Sequence, residues 1–332
     1  MNGVRITFAN VGYGEAMLLE ADDPSCENGT FTMLIDGGGN TPEEYSGSTT
    51  GRLPFDEFLQ RKNITHLDIA VCTHIHEDHI SGLVPVFQRM TPGEFWQTLP
   101  CRYYQKMKPL DERLTEEPDR KKFIRALNDY REICKSLTER GCVLRGPENL
   151  QELESPAEGL EIRLPGPSGR KTEALVSCMD RIYENTDTSK LFAEISRADA
   201  SMNNFSMILL LAYGGRKILL PGDTNQEGFG DVPGDISADI FKVGHHGQKD
   251  GVSRELFRRI HPSAVVCCAS SDRRYNSAAP EILQMMREEG SGLYFSDCPD
   301  VPPFTDGLAP HTALTFAVSP DGGIRTWYEP CE

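Results

Sequence analysis

Short apolar segments, either alternating with polar residues or continuous, dominate the first third of the chain, and this pattern predicts β-strands. The segments lie at residues 4–8, 16–20, 31–35 and 67–72. The last of them is almost entirely apolar, which is typical of a strand buried on both faces. The first third of the chain therefore predicts the strand-rich half of a folded domain.

The middle of the chain changes to a helical period. Apolar residues recur three and four positions apart through residues 123–137, with Pro118 before them and Gly141 after them. This arrangement predicts an amphipathic helix between a helix-starting proline and a helix-ending glycine. Residues 170–200 are also polar and helical in pattern. We predict helical insertions at about 103–158 and 170–200 that cover one side of the fold, and we interpret them as packing elements rather than as a substrate gate.

Strands then return and alternate with helices to the end of the chain. The predicted strands are 206–213, 217–220, 240–243, 264–268, 313–318 and 323–327, and the predicted helices are 253–260 and 280–289. Two strand-rich halves with flanking helices predict a layered α/β fold. We predict a single domain that spans residues 1–332.

The charge of the chain limits what it can bind. The formal net charge is −16 at pH 7, with 34 Lys and Arg against 50 Asp and Glu. A protein that coats nucleic-acid backbones needs the opposite sign, because Lys and Arg neutralise the phosphates. Any contact with a nucleic acid must therefore be local or must use a bound metal ion. Lys121, Lys122 and Arg125 form one small basic patch on the predicted middle helix, which we interpret as a solvated helix face.

The cysteines and the N-terminus bear on the cellular compartment. None of the ten cysteines forms a Cys-x-x-Cys pair, and several, such as Cys267 and Cys268, lie in apolar runs. We therefore predict reduced cysteines in the protein core. The first residues lack the pattern of a signal peptide, and no apolar run is long enough to cross a membrane. We predict a cytoplasmic protein without a membrane span.

Five of the eight histidines lie in two short segments of the chain. In the first segment, His74 and His76 are two residues apart, so both side chains lie on the same side of an extended strand end. Asp78 and His79 follow them on the bend. Imidazole nitrogens and carboxylates are the ligands that zinc and similar ions take in proteins. This segment therefore predicts one half of a metal site.

The second half of the predicted site lies at two later strand ends. Strand 217–220 leads into Pro-Gly and then Asp223, and strand 240–243 leads into His245 and His246. A carboxylate has two oxygens and can bridge two ions. Because three strands each deliver ligand residues from their carboxyl ends, we expect one shared site.

The order His-x-His-x-Asp-His, then Gly-Asp at a strand end, then a terminal histidine resembles the metallo-β-lactamase superfamily. Within it, the chain is most similar to the hydrolase domain of bacterial DNA-uptake (competence) proteins and its soluble relatives. The segments that carry the resemblance are 8–16, 34–38, 203–206 and 241–247. The resemblance covers about 1–90 and 200–300. It implies the four-layer αββα sandwich of that superfamily, and the predicted helical insertions lie outside it.

Carried over residue by residue, the resemblance implies two metal ions. The implied ligands are His74, His76 and Asp223 for one ion, and Asp78, His79, Asp223 and a histidine of the 245/246 pair for the other. We favour His246 as the ligand and His245 as a proton donor or oxyanion contact. The aspartate of the earlier Asp-Gly motif, Asp36, is implied to hold a ligand histidine in one tautomer.

The chain departs from the general family pattern at one point. No histidine lies between His79 and Asp223, so the usual third histidine of the first metal is missing. Asn203, Asn204 or water takes its place, and this leaves open whether one or two ions bind. Zinc is the first choice, with manganese or iron as alternatives. Asn276 lies where the subgroup carries polar residues, and we consider it a candidate for substrate contact.

The resemblance implies a metal-dependent hydrolase in which a metal-bound hydroxide attacks a phosphodiester of a nucleic acid or nucleotide. Asp78 would orient the hydroxide, and His245 would protonate the leaving group. Two other classes stay open. One is a mononuclear iron oxidoreductase of the same superfamily, which metal analysis would distinguish. The other is a partner-activated or non-catalytic metal-binding component whose protein partner docks on the helical insertions, although the full set of ligands argues against it.

Overall fold

Two β-sheets face each other across an apolar interior in the computed structural model, which describes residues 3–26, 29–150 and 155–331. The strands of the first sheet are β1 (Val4–Ala9), β2 (Met17–Asp22), β3 (Thr30–Ile35), β4 (Ile69–Val71), β5 (Glu94–Trp96), β6 (Val143–Arg145), β13 (His311–Val318) and β14 (Ile324–Pro330). The strands of the second sheet are β7 (Glu161–Gly166), β8 (Ile208–Tyr213), β9 (Arg216–Leu220), β10 (Ile240–Lys242), β11 (Ala264–Cys267) and β12 (Gly292–Phe295).

Each sheet combines an antiparallel part with a parallel part. The first sheet has the order β14-β13-β1-β2-β3-β4-β5-β6, antiparallel from β14 to β3 and parallel from β3 to β6. The second has the order β12-β11-β10-β9-β8-β7, parallel from β12 to β9 and antiparallel from β9 to β7. The parallel strands are those whose carboxyl ends carry the predicted ligand residues.

Helices cover the outer face of each sheet. They are α1 (Pro42–Tyr45), α2 (Phe55–Arg61), α3 (Glu77–Ile80), α4 (Leu83–Arg89), α5 (Pro118–Glu139), α6 (Gly169–Glu184), α7 (Thr188–Ser201), α8 (Arg254–Ile260) and α9 (Pro280–Glu288). None of the helices within the described residues has the length and hydrophobicity that crossing a membrane requires.

Three apolar layers separate the four layers of secondary structure. Along β3, Met33 and Ile35 face the middle layer together with residues of the second sheet, such as Leu209. Leu34, between them, faces the outer layer formed by helices that include α5 and α7. A third layer joins the second sheet to α8 and α9. The alternation of buried side chains along the strands therefore produces the predicted four-layer αββα sandwich, and the predicted fold class is confirmed.

The prediction of a helical insertion over 103–158 is only partly correct. Helix α5 occupies much of this range, but Val143–Arg145 forms β6, the edge strand of the first sheet. A strand of three residues is too short for an alternating pattern to identify it. The apolar side of α5, with Leu127 among its residues, packs in the outer layer of the fold, so this helix is part of the sandwich. The second range, 170–200, is helical as predicted and contains α6 and α7.

Candidate metal centre

Loops from both sheets meet at one end of the sandwich. The loop after β4 carries the first histidine segment, and the short helix α3 turns the chain so that Asp78 and His79 become buried. Asp223 follows β9, and His246 follows β10 in the second sheet. The carboxyl ends of parallel strands thus bring together residues that are more than a hundred positions apart in the chain.

Four acidic and histidine side chains form a buried cluster at this meeting point. The ligand atoms of Glu15, His79, Asp223 and His246 all lie within 4.8 Å of one another, and all four residues are buried. Three of them are predicted ligands, and Glu15 is a residue that the sequence did not single out as part of the site.

The hydrogen bonds of His79 and His246 fix which ring nitrogen carries the proton. His79 Nδ1 donates to Asp36 Oδ2 at 2.8 Å, and His246 Nδ1 donates to the Cys268 carbonyl at 2.8 Å. In the neutral imidazoles, the Nε2 atoms therefore carry lone pairs. Both Nε2 atoms point into the cluster, as metal-binding imidazoles with a fixed second nitrogen do.

Carboxylate oxygens face these lone pairs directly. Asp223 Oδ2 lies 3.0 Å from His246 Nε2 and 3.4 Å from His79 Nε2. Asp78 Oδ2 lies 3.1 Å from His246 Nε2. His79 Nε2 is buried and has no hydrogen-bond partner among the described residues. Acceptors that face one another at this range repel unless a proton or a cation lies between them. Two imidazoles and two carboxylates form a donor set that suits zinc or a similar ion.

The charges of the cluster are strongly coupled. Burial opposes ionisation of Asp78, but the His79 and His246 imidazoles outweigh it and lower the pKa of this carboxyl. Burial also opposes ionisation of Asp223, and the same two imidazoles hold its pKa well below the usual range. Conversely, burial opposes protonation of both imidazoles, while the carboxylates of Asp223 and Asp78 raise the pKa of His79 and of His246. The cluster therefore favours a positive charge at its centre, which a proton or a divalent cation can supply.

Asp36 accepts a hydrogen bond that holds His79 in the cluster. Its Oδ1 accepts the Thr73 backbone N–H at 2.8 Å, and its Oδ2 accepts the Thr73 hydroxyl at 2.6 Å and His79 Nδ1 at 2.8 Å. The side chain is completely buried, and the backbone has a positive φ of 57°. The structure thus places Asp36 against one of the clustered histidines, which is the position that the resemblance implied.

A buried lysine lies on the far side of the cluster. The Lys242 ammonium contacts Glu15 Oε1, lies 3.2 Å from Asp223 Oδ1 and donates to the Gly222 carbonyl at 2.8 Å. Both Lys242 and Glu15 have side chains with no solvent exposure. Burial lowers the pKa of Lys242 to about 7, and the neighbouring Cys268 and Cys267 act in the opposite direction. Lys242 therefore neutralises Glu15 and holds one oxygen of Asp223, which leaves the other oxygen to face the imidazoles.

His74 and His76 form a second group beside the cluster. His74 Nε2 faces His76 Nδ1 at 3.1 Å, and His76 Nε2 lies 3.3 Å from the backbone carbonyl of Asp199 in α7 and 3.3 Å from its Oδ1. The Thr73 hydroxyl donates to Asp36 and can accept from His74 Nδ1 at 3.2 Å. With that hydrogen bond, and with His76 Nε2 donating to Asp199, lone pairs again face each other between the two rings. Among the described residues, neither ring makes an ion pair with Asp223, so the first predicted ligand set is only partly assembled.

His245 and His246 point to different places. His246 is completely buried in the cluster, whereas the side chain of His245 is 22% exposed and lines the open cleft beside it. His245 Nδ1 donates to Asp250 Oδ1 at 2.9 Å, and this hydrogen bond lowers the pKa of Asp250. Both histidines have positive φ values, 48° and 50°, which non-glycine residues rarely adopt. This backbone separates the two rings, and it places His246 where we expected a ligand.

The predicted asparagines are distributed unevenly. Asn203 lines the cleft, and its amide oxygen and that of Asn204 are buried without a hydrogen-bond partner among the described residues. Their role as substitutes for the missing histidine stays a prediction. Asn276 is not among the residues that line the cleft; its neighbour Tyr275 is. Both residues have positive φ values, 54° for Tyr275 and 58° for Asn276.

An open cleft of about 290 Å³ leads from the surface to this cluster, and its lining includes Asp78, Asp223 and His245. A larger cavity of about 630 Å³ lies elsewhere, next to β7 and Gln97, and none of the predicted site residues lines it. We therefore place the functional site in the smaller cleft, because it is the one that contains clustered ionisable groups.

Residues 11–104 match the model of the metallo-β-lactamase superfamily, so the family resemblance predicted from the sequence is confirmed over this segment. The segment contains β2, β3, β4 and the first histidine group.

Particular relatives add detail to this match. A segment of 101 residues is 32% identical to ComE operon protein 3 of Bacillus subtilis (strain 168), and the match covers 30% of this chain but only 13% of that protein. Among solved structures, a diphosphatase from the PhnP family aligns over 99% of this chain and 100% of its own, with 12% identity and a TM-score of 0.42. The hydrolase AbOPH of the beta lactamase superfamily aligns over 63% of this chain and 55% of its own, with 11% identity and a TM-score of 0.32.

Proposed function

We propose that this protein is a metal-dependent hydrolase of phosphodiesters. One observation carries the proposal: the Nε2 atoms of His79 and His246 converge with Asp78 and Asp223, and both of these carboxylates line an open cleft. His79, His246, Asp78 and Asp223 would hold one divalent ion, with zinc as the first choice and manganese or iron as alternatives. His74 and His76 would contribute to a second. A bound ion of this kind supplies Lewis-acid polarisation of a phosphoryl oxygen and activates water near neutral pH.

Residues at the border between cluster and cleft would perform the proton transfers. Asp78 is buried among the imidazoles but also lines the cleft, so its carboxylate can orient a water molecule for attack. His245 also lines the cleft, and its hydrogen bond to Asp250 fixes the orientation of its ring. In the imidazolium form, in which Nδ1–H stays with Asp250, its Nε2–H can protonate the departing oxygen. The choice of phosphodiesters rests on the resemblance of the sequence to the DNA-uptake hydrolase domain, because a metal cage alone serves many reactions.

A hydrolysis screen of the purified protein with added zinc or manganese tests the proposal. The substrates are bis-p-nitrophenyl phosphate, single- and double-stranded DNA, RNA, cyclic dinucleotides and a thioester. We expect phosphodiester cleavage that His246→Ala abolishes. His261→Asn is a matched control, because His261 is an exposed histidine with a φ of 54° that asparagine tolerates. Activity on the thioester alone, or equal activity of the His246→Ala variant, would contradict the proposal. A native protein containing a single iron ion would support an oxidoreductase.

Replacement of His245 separates proton donation from metal binding. We expect His245→Asn to keep the metal content of the wild type and to lose about 100-fold in kcat on DNA, the usual contribution of a general acid. The loss should be small on bis-p-nitrophenyl phosphate, because p-nitrophenolate departs without a proton. Steady-state kinetics on both substrates, with metal analysis of each preparation, check this expectation. An equal loss on both substrates, or a loss of metal, would assign His245 a different role.

A further inference from the structure

The entrance of the cleft carries an exposed aromatic ring beside a lysine. Tyr275 is 45% exposed, an unusual state for a large aromatic residue. Its ring lies 5.5 Å from that of Tyr13, which in turn lies 5.0 Å from the ring of His246. A row of rings thus extends from the buried cluster to the surface. Lys122 of α5 donates to the Tyr275 hydroxyl at 2.8 Å. This contact joins a helix packed on the first sheet to the loop that follows β11 of the second sheet.

The loop that holds Tyr275 is strained. Arg273, Tyr275, Asn276 and Ala278 have φ values of 50°, 54°, 58° and 49°, and none of them is glycine. Non-glycine residues other than asparagine rarely adopt this region, and strain of this kind is retained where a site requires a fixed geometry. The surrounding contacts therefore hold Tyr275 at the entrance in spite of an unfavourable backbone.

Lys122 provides a positive charge in a cleft whose lining is otherwise rich in acidic residues. It is the one lysine or arginine among the described residues that line the cleft. The acidic residues of the lining are Glu77, Asp78, Asp119, Asp199 and Asp223. An anionic substrate that enters this cleft needs a positive partner near the entrance, and Lys122 can supply it. Lys122 also lies 3.7 Å from Asp119 and its side chain is 40% exposed, and Lys121 and Arg125 pair with Glu116 and Glu112 at the surface. The interpretation of this patch as a solvated helix face stays a prediction.

We propose that Tyr275 and Lys122 form the recognition site for one nucleotide unit of the substrate. The base stacks on the Tyr275 ring, and the Lys122 ammonium attracts the phosphodiester charge. Aromatic side chains bind bases of any sequence in this way. A cleft of about 290 Å³ is at the small end of ligand sites, which suits a single unit. This inference rests on the proposed phosphodiesterase function and adds to it the chemical class of the group that is recognised.

Two esters with the same leaving group test the stacking. We expect the wild type to prefer p-nitrophenyl thymidine 5′-phosphate over methyl p-nitrophenyl phosphate. Tyr275→Leu should reduce this preference on the order of tenfold through KM, while Tyr275→Phe should retain it. Trp327→Leu is a matched control, because Trp327 is also a partly exposed aromatic but lies on β14. Lys122→Gln should raise the KM for both esters on the order of fivefold, and the preference for the thymidine ester should not change. An unchanged preference in Tyr275→Leu would overturn the proposal.

Binding of thymidine 5′-monophosphate, measured by calorimetry, gives a readout that does not depend on turnover. We expect wild type and Tyr275→Phe to bind it and Tyr275→Leu to bind it on the order of tenfold more weakly. If the wild type hydrolyses neither ester but binding still depends on Tyr275, the proposed function fails and the recognition site stands. If hydrolysis occurs and neither the preference nor the binding depends on Tyr275, the recognition site fails alone.

Discussion

Asp223→Asn is expected to abolish metal binding while leaving the fold intact. One oxygen of Asp223 lies near the Lys242 ammonium and the other faces the imidazoles of His79 and His246. An asparagine would keep its oxygen toward Lys242 and turn its NH₂ group toward the imidazole lone pairs, which it would then occupy. Loss of an indirect supporting contact already costs 10–100-fold in metal affinity, so we expect loss of this direct ligand to cost at least about 100-fold.

Equilibrium dialysis with metal analysis measures the affinity, and thermal unfolding with and without zinc measures the linked stability. A ligand that binds only the folded state raises the unfolding temperature, so zinc should raise that of the wild type and not that of Asp223→Asn. Because Asp223 is expected to bind both ions, Asp223→Asn should take up no metal, rather than half of the amount that the wild type binds. Asp300→Asn, an exposed aspartate, is the matched control. If Asp223→Asn took up as much metal as the wild type, Asp223 would not be a metal ligand.

Lys242→Met is expected to be the most destabilising single change in the site. It would leave the carboxylates of Glu15 and Asp223 buried without their cation. Breaking a buried ion pair by removing one partner costs about 3–5 kcal/mol, because the remaining charge is uncompensated. We expect the free energy of unfolding of the metal-free protein to fall by about this amount.

Urea denaturation of a double-mutant cycle checks the cause. The double variant Lys242→Met/Glu15→Gln should recover a large part of the loss, because one of the two uncompensated charges is gone. Lys217→Met is the matched control: Lys217 pairs with Asp235 at 2.7 Å at the exposed surface, where such pairs contribute about 0–1 kcal/mol. If Lys242→Met were as mild as Lys217→Met, or if Glu15→Gln gave no recovery, the ion-pair explanation would be wrong.

The sequence predicted strongly patterned elements well and missed several strands, including β7, which has six residues. Helix α9 and strand β11 lie within one residue of their predicted bounds. Strands β5 and β6, of three residues each, were not predicted. Such strands are stabilised by neighbours that are distant in the chain, and their own residues carry too few positions for a pattern. The sheet edges therefore depend on tertiary contacts that the sequence does not display locally.

The same limit applies to the site. His79, Asp223 and His246 were predicted because they follow apolar strands, and the carboxyl ends of parallel strands converge. Lys242 was missed although it gave a signal, since it is a charged residue within an otherwise apolar, buried strand. Glu15 gave a weaker sequence signal, because it is a single carboxylate just before β2. Buried charges need partners, and searching for unpaired charges in apolar segments would have indicated both residues.

The donor atoms of the cluster come from segments separated by 167 residues between His79 and His246. An ion that joins them closes a long loop of the chain and connects the two sheets at their shared end. In the unfolded chain such a loop is costly to close, so the preorganised fold provides most of the affinity. A fragment limited to residues 11–104 carries His74, His76 and His79 but neither Asp223 nor His246. Metal capture is thus a property of the two halves together, and an incompletely folded chain should release its ion.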